Sequence, residues 1–407
     1  MKIVKTKDGR SYLYPFILVT SLFFLWGFAH SILDVLNKDF QIVFQMTKAK
    51  SALVQMMVYG GYFLMALPAG YITRKMGYRK GVIIGLLLYA FGAFLFIPGC
   101  KLESFPFFLL CLFIIGCGLT CLETAANPYI TVLGDSKYGS SRLNFAQAFN
   151  GFGWICGPLA GSLIILSDST NIDNLAIPYM GIGIAVLVVA LLFVCVKLPE
   201  IKEDEEDNDI HISNEATNYS LCQHPHFVFG LFALFLYVAA QTGINSFFIN
   251  YATESTISFS PKEAGLLLSF GGMGLFMIGR FIGSWLLSLI KASTLLFIFS
   301  IGAFICMILV IINAGWVSLI ALFTCYLFES IMFPTIFSMS IRSLGKNTKQ
   351  ASSFLIMSIV GGAIAPWLMG LIGEKSTSIG FIIPLLCFII IGAYAYKYPQ
   401  LIAKHNK

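Results

Sequence analysis

The sequence carries little charge. Asp, Glu, Lys and Arg make up 11% of its 407 residues, while 57% are hydrophobic. Soluble domains carry about a quarter charged residues. Most of the surface must therefore face something other than water, and a lipid bilayer fits. The net charge of +6 does not indicate nucleic acid as a partner, because the positions of the charges matter more than their sum.

The chain also lacks the spacings of several kinds of chemical site. Its ten cysteines are scattered singly, without metal-ligand or disulfide-framework spacing, and cysteine in an apolar helix behaves as a small hydrophobe. We expect no disulfide and no metal. A GxxxxGK[ST] phosphate loop is absent, so ATP-driven transport has no support. No nucleophile–base pair stands out either, and we expect that the chain is not an enzyme.

Long apolar runs are what the sequence has in abundance. A membrane-crossing helix needs about 20 mostly apolar residues. The basic start, MKIVKTKDGRSYLYPF, leads into a run long enough to remain as a span rather than to be cleaved as a signal. Twelve spans are predicted, at approximately 13–36, 51–72, 81–99, 106–133, 144–167, 177–196, 226–249, 264–289, 293–313, 317–340, 351–373 and 379–396.

The distribution of Lys and Arg predicts the orientation. With both termini in the cytoplasm, the cytoplasmic loops and ends hold 19 of the basic residues and the opposite side holds six. Cytoplasmic loops are enriched in these residues. We therefore expect both termini on the cytoplasmic side.

One long polar segment divides the chain. Residues 199–224 include the acidic run KEDEEDND at 202–209, and such a charge run is a solvated linker rather than a site. It separates an N-terminal six-helix half, 1–198, from a C-terminal six-helix half, 225–407.

The two halves show weak self-similarity, as expected of a duplicated transporter fold. FLWGFAHSILD at 24–34 aligns with FLYVAAQTGIN at 235–245, and ETAANPYI at 123–130 aligns with ESIMFPTI at 329–336. A Tyr-Gly-Gly at 59–61 likewise matches Phe-Gly-Gly in span 8. The matches keep the same order and nearly the same shift. We therefore predict an all-α membrane protein with two pseudo-symmetric halves around a central cavity.

Ionisable residues within the spans require a reason, because each costs about 2.5–3.5 kcal/mol at a helix centre. The acids are Asp34, Glu123 and Glu329, and the base is Arg280, with His30 as a titratable neighbour of Asp34. Burial disfavours the charged form of a carboxyl group, so a buried acid can carry a proton. Alternatively, Asp34 caps the end of span 1, Glu329 pairs with Arg280 or binds substrate, and Arg280 closes a gate or reaches the interface.

Two pairs of amide residues share helix faces in corresponding parts of the two halves. Gln147 and Asn150 lie three apart, and Gln241 and Asn245 four apart. Amides both donate and accept hydrogen bonds, which suits sugar hydroxyls, although a single intramembrane amide often joins helices. Phe333, like Trp26 and Tyr237, lies beside these polar residues and could stack on the apolar face of a sugar.

Four segments carry a family resemblance: SLFFLWGFAHSILD, GCGLTCLETAANPYITVLG, RLNFAQAFNGFG and FPTIFSMSIRSLG. They resemble the fucose–galactose–glucose:proton symporters of the major facilitator superfamily, over essentially the whole chain. The loop GYITRKMGYRK at 70–80 places Arg74 where the superfamily usually has an acid. The sugar symporters that the chain resembles also lack this acid. The resemblance implies the major facilitator fold and alternating access.

The resemblance also implies roles for individual residues. Asp34 and Glu123 match the acids implicated in proton coupling and sugar recognition. The expected cargo is a small neutral sugar, L-fucose first, moving with a proton and without another cofactor, in a monomer of the bacterial inner membrane. The substrate-binding candidates are His30, Ser31, Gln147, Asn150, Gln241, Asn245, Glu329 and Phe333, and the gating candidate is Arg280.

Alternatives to this interpretation remain. Glucose, galactose or an N-acetylhexosamine could replace L-fucose, since Phe333 stands where the resembled pocket has a tyrosine. An efflux carrier for apolar compounds would suit the many aromatics but not the amide pairs. A membrane enzyme would need a catalytic cluster at one interface, and a sensor or scaffold would need an appended soluble domain.

Overall fold

Each predicted apolar run forms a helix, because in lipid the backbone must satisfy its own hydrogen bonds. The computed structural model describes residues 12–133, 139–167, 172–195, 221–344 and 348–403. Spans 1 to 6 are the helices Leu13–Val43, Leu53–Met76, Tyr78–Phe94 continued by Phe96–Leu102, Phe105–Val132, Gly139–Ile164 and Ala176–Cys195. A single helical turn, Lys48–Ser51, precedes span 2.

The C-terminal half has more interrupted helices. Span 7 is Pro225–Glu254, span 9 is Ala292–Ile312, and span 10 is Trp316–Glu329 followed by Met332–Ile341. Span 8 begins at Pro261–Leu267, passes through a π-helical segment at Leu268–Met273, and ends with Gly274–Leu289. Span 11 is Thr348–Met357 and Gly361–Ile372, joined by the 3₁₀ turn Ser358–Val360, and span 12 is Thr377–Gly380 and Ile382–Ala403.

The prediction of a twelve-helix membrane protein is confirmed. Eleven helical segments of the described chain are long and apolar enough to cross a membrane. Span 5 is the remaining one, and it is less apolar because it carries Gln147, Asn150 and several small residues. The acidic run and residues 199–220 of the predicted linker lie outside the described residues.

Local sequence explains where several helices begin or break. Span 8 starts with a capping box, in which the Ser260 side chain accepts from the Glu263 backbone and Glu263 binds back to Ser260, a pairing that satisfies exposed N–H groups. Span 10 breaks after Glu329, shortly before Pro334, whose ring nitrogen has no hydrogen to donate.

Glycine lets the helices of each half approach closely. A methyl group on Gly118 of span 4 would meet the Tyr89 nitrogen of span 3 at 2.6 Å, and one on Gly153 of span 5 would meet the Phe24 oxygen of span 1 at 2.4 Å. These contacts are backbone to backbone, so no side chain can move aside. Small residues serve this purpose at membrane helix interfaces.

The two halves meet through a limited set of helices. Within the N-terminal half, span 1 packs on span 5, and spans 2 and 3 pack on span 4. Within the C-terminal half, span 12 packs on spans 7 and 9. Between halves, span 1 contacts span 7, span 2 contacts span 11, and span 5 contacts span 8. The candidate site lies beside these contacts.

Candidate functional site

Asp34 lies at the contact between the halves. Its side chain is 2% exposed, and its Oδ1 accepts hydrogen bonds from Gln55 of span 2 at 2.9 Å and from Ser246 of span 7 at 3.4 Å. Its Oδ2 is buried without a hydrogen-bond partner. Since span 1 continues to Val43, Asp34 does not cap the helix, and that alternative is wrong.

His30 lies one turn before Asp34 in an aromatic surround. Its Nε2 is 3.0 Å from the Tyr62 hydroxyl, and its ring is stacked on Trp154 at 6.1 Å between centroids. The rings of Trp26 and Tyr59 also lie beside the His30 ring, with centroid distances of 6.2 and 5.6 Å. Tyr59 itself accepts a hydrogen bond from Thr242 of span 7 at 3.2 Å, so this cluster also reaches the other half.

Glu123 faces a small cavity between spans 1 and 4, shared with Trp26 and Asn127. The cavity contains two buried oxygens without hydrogen-bond partners, namely Glu123 Oε2 and Asn127 Oδ1. The Tyr62 hydroxyl interacts with Trp26 and with the Glu123 carboxyl group, so Tyr62 connects His30 to both. Buried polar groups normally have partners, and two acceptors left open together suit a ligand that carries hydroxyl groups.

The C-terminal half contains a corresponding buried acid. Glu329 is 0% exposed; its Oε1 is 3.6 Å from the Cys325 thiol, and its Oε2 has no partner. The Tyr237 hydroxyl donates to the backbone oxygen of Glu329 at 3.1 Å, where span 10 breaks. Trp26 with Glu123 and Tyr237 with Glu329 are therefore matched span pairs, as the internal alignment predicts.

Arg280 and Glu329 do not form an ion pair, although both are described. The guanidinium group of Arg280 instead lies over the Phe276 ring, 4.7 Å from its centroid, on the same helix. Phe333 lies 6.2 Å from Tyr237, ring centroid to ring centroid. Phe333 thus joins the C-terminal cluster, whereas Arg280 makes its aromatic contact within span 8.

The amide and hydroxyl candidates divide into two groups. Asn150 donates to the Phe23 backbone oxygen at 3.1 Å, and the Ser31 hydroxyl donates to the Gly27 oxygen at 3.0 Å. Asn150 therefore joins span 5 to span 1, and Ser31 bonds to the backbone of its own helix. Gln147 and Gln241 are partly exposed, and Asn245 keeps a buried Oδ1 without a partner, so these three remain open to a ligand.

Polar contacts continue from Asp34 along spans 1 and 7 to one end of the bundle. The Asn37 amide donates to the Ser246 backbone oxygen at 2.9 Å, and the Asn250 amide donates to Gln41 at 2.6 Å. Ser246 and Asn250 are four residues apart, as is Glu254 beyond them, so one helix face carries all three.

A network centred on Lys48 closes that end. Lys48 is 8% exposed, and its Nζ pairs with Glu254 at 2.8 Å and donates to the Gly373 backbone oxygen at 2.9 Å. The Lys48 backbone N–H donates to the Glu374 carboxylate at 3.0 Å, and the Thr377 hydroxyl donates to Glu254 at 2.8 Å. We call these residues the Lys48 network. It joins the start of span 2 to spans 7, 11 and 12.

Sequence reasoning missed several of these residues. Gln55, Tyr62 and Ser246 are ordinary polar residues in apolar helices, and their partners are 21 to 212 positions away. A helical-face signal did exist in span 7, where Thr242, Ser246 and later polar residues recur every fourth position. Lys48 carries no sequence signal of its own, because its buried ion pair with Glu254 depends on the packing of the two halves.

This arrangement suits the transfer of a proton and a hydroxyl-rich ligand between two sides of a membrane. The two halves enclose carboxyl groups that no described cation pairs with, and each acid keeps one oxygen free. Buried carboxyl groups without cations favour the neutral form.

Comparisons with known proteins agree with this arrangement. Residues 16–366 match the model of the Major Facilitator Superfamily. The chain is 39% identical to an L-fucose-proton symporter of Escherichia coli over 95% of this chain and 94% of that protein, and 33% identical to a glucose/galactose transporter of Brucella abortus over 96% and 95%. A crystal structure of a transporter of this superfamily in the outward conformation, 38% identical, superposes with a TM-score of 0.70 over 96% of this chain and 99% of that one.

Proposed function

The chain belongs to the Major Facilitator Superfamily and is a multi-pass membrane protein, and on that premise we propose that it imports a small neutral sugar together with a proton. The observation that carries this proposal is a set of three buried acids, Asp34 at the contact between the halves, Glu123 in the N-terminal half and Glu329 in the C-terminal half. Each has one free oxygen and no described cation paired with it. Proton binding makes such carboxyl groups neutral. Relatives that are named as sugar transporters align with almost the whole chain.

L-Fucose is the sugar we propose first. The relative at 39% identity is named an L-fucose-proton symporter, whereas glucose/galactose transporters are 33% identical. The cavity beside Glu123 supports a sugar in general, because its two open acceptors, Glu123 Oε2 and Asn127 Oδ1, suit hydroxyl groups. Glucose or galactose is the second candidate, which the Brucella relative favours.

The proposed roles of residues follow from their places in the structure. Asp34 and Glu123 exchange the proton. His30 and Tyr62 connect these acids, while Gln147, Gln241, Asn245, Glu329 and Phe333 face the sugar from the two halves. Ser31 and Asn150 would have to release their backbone partners to contact it. The halves then rock about the site, so that it faces one side of the membrane at a time.

The orientation of the chain in the membrane determines which end of the helix bundle faces outward. With both termini in the cytoplasm, as the distribution of Lys and Arg supports, the Lys48 network lies on the outer side of a bacterial inner membrane. The arrangement described above is then closed towards the outside. Each half is complete within one chain, which supports transport by a monomer.

The test is uptake by purified protein in liposomes. An inward proton gradient should drive accumulation of labelled L-fucose, and a protonophore should abolish it. Asp34→Asn should abolish accumulation but keep exchange of sugar for sugar, because the amide cannot release a proton. A panel of labelled glucose, galactose and N-acetylglucosamine identifies the cargo. Accumulation that a protonophore does not reduce would contradict proton coupling.

A further inference from the structure

The proton-carrying acid proposed above is held by one donor from each half. Asp34 Oδ1 accepts from Gln55 in the N-terminal half at 2.9 Å and from Ser246 in the C-terminal half at 3.4 Å. The Ser246 bond can exist only while spans 1 and 7 are packed together at this level. Ser246 is 0% exposed, so separation of the spans would also bring water to it.

No described cation forms an ion pair with the Asp34 carboxyl group. Lys38 lies one turn further along span 1, and it interacts with Glu254 and Lys48. Among the described residues, Tyr59 of span 2 and Tyr326 of span 10 are the titratable groups that interact with its carboxyl group, and His30 lies one turn away. Lys48, on the turn before span 2, pairs with Glu254 instead. A carboxylate in this position would be a buried charge without a counterion, which is costly.

The two oxygens of Asp34 are not equivalent. Oδ1 has both donors, while Oδ2 is buried and has none. A carboxylic acid with its proton on Oδ2 keeps both bonds to Oδ1 and carries no charge. The closed contact between spans 1 and 7 therefore accommodates the protonated acid better than the ionised one.

We propose that Ser246 is a positioning residue through which proton binding at Asp34 closes the outer side of the transporter. Protonation removes the charge that opposes burial, and the Ser246 hydroxyl then joins Asp34 across the contact. Gln55 holds the same oxygen from within the N-terminal half, so that Oδ2 remains the atom that carries the proton. This inference rests on the proposed function, since it gives Asp34 the role of proton carrier.

The test is the distance between the two halves on the outer side, measured by pulsed electron paramagnetic resonance. Spin labels are attached at Lys101→Cys and Lys262→Cys, since both lysines are exposed and lie at the outer ends of span 3 and span 8, in different halves. The protein is purified in lipid nanodiscs without sugar, at a series of pH values. The background variant replaces Cys117, Cys156 and Cys195, which are at least partly exposed, and also Cys222.

The expected result is a short-distance population that grows as the pH is lowered. Asp34→Asn should give the short distance at every pH, because an amide is neutral throughout and its oxygen still accepts both bonds. Ser246→Ala should lower the ratio of closed to open protein roughly twofold to tenfold, the effect of losing one ordinary hydrogen bond. Ser246→Ala should also make the ratio of closed to open protein less sensitive to pH.

Two controls separate a positioning role from a structural one. Ser255→Ala, at the residue that follows span 7, removes a hydroxyl that bonds to the Ala252 backbone oxygen and should leave the distances unchanged. In an Asp34→Ala background, Ser246→Ala should have no further effect. The inference is overturned if Ser246→Ala lowers the closed ratio equally in that background, or if Asp34→Asn still responds to pH as the parent does. Uptake without proton movement would instead contradict the proposed function.

Discussion

Removing the Lys48 side chain should open the end of the bundle that the Lys48 network closes, the end that we propose faces outward. The Nζ of Lys48 makes a 2.8 Å ion pair with Glu254 and a 2.9 Å hydrogen bond to the Gly373 oxygen. Both bonds connect the halves. Lys48→Ala removes them without altering the span itself, because Lys48 belongs to the short turn before span 2.

The free energy lost from the closed state in Lys48→Ala depends on how exposed the ion pair is to water. The side chain of Lys48 is 10% exposed and that of Glu254 is 37% exposed. Breaking a buried pair costs about 3–5 kcal/mol, whereas exposed pairs are worth about 0.2–1 kcal/mol. Glu254 also keeps its hydrogen bonds to Thr377. We therefore expect a loss of about 2 kcal/mol, which lowers the ratio of closed to open protein roughly 30-fold.

The assay is the same distance between labels at Lys101→Cys and Lys262→Cys. Lys48→Ala should shift the population to the long distance, and sugar accumulation should fall because closure of the outer side around the loaded carrier is impaired. Lys50→Ala is the matched control, since that lysine is exposed and two positions away. Unchanged distances in Lys48→Ala would refute the assignment of the Lys48 network as the outer closure.

Three further outcomes are expected from single substitutions. Glu123→Gln should abolish proton-driven accumulation while sugar exchange persists, measured by counterflow in liposomes; accumulation equal to the parent would exclude Glu123 from coupling. Tyr62→Phe should leave His30 Nε2 without its 3.0 Å partner and lower stability by about 1–3 kcal/mol, seen as a lower melting temperature in detergent. Gly118→Val should abolish folded protein on size-exclusion chromatography, because the new side chain would overlap the backbone of span 3, whereas Gly60→Ala, with no atom within 4 Å of its added methyl group, should be tolerated.

The place of the acids shows why a buried polar cluster can serve transport. Asp34, Glu123 and Glu329 each leave one carboxyl oxygen without a partner, which a purely structural role would not require. Asp34 in addition accepts hydrogen bonds from both halves. Rocking of the halves must therefore change the surroundings of Asp34, and a change of surroundings is what couples proton binding to movement.

Several features followed from the amino-acid sequence by itself. The length of each apolar run determined that a helix would cross the membrane there, and even the polar span 5 was placed within a few residues of its observed bounds, Gly139–Ile164. The internal alignment matched Trp26 to Tyr237 and Glu123 to Glu329. In the structure Trp26 lies beside Glu123 in one half, and Tyr237 lies beside Glu329 in the other. These features are local or repeated, so one chain is enough to reveal them.

Only the tertiary structure decided which polar residues meet. Asn150 and Ser31 have the chemistry of sugar ligands, yet their side chains bond to helix backbone. Ser246 and Lys48 were unremarked in the sequence, but their partners come from the opposite half. A side chain of a given type can bind ligand, backbone or another side chain at similar free energy. The choice among these partners depends on how distant helices pack, which composition and periodicity do not specify.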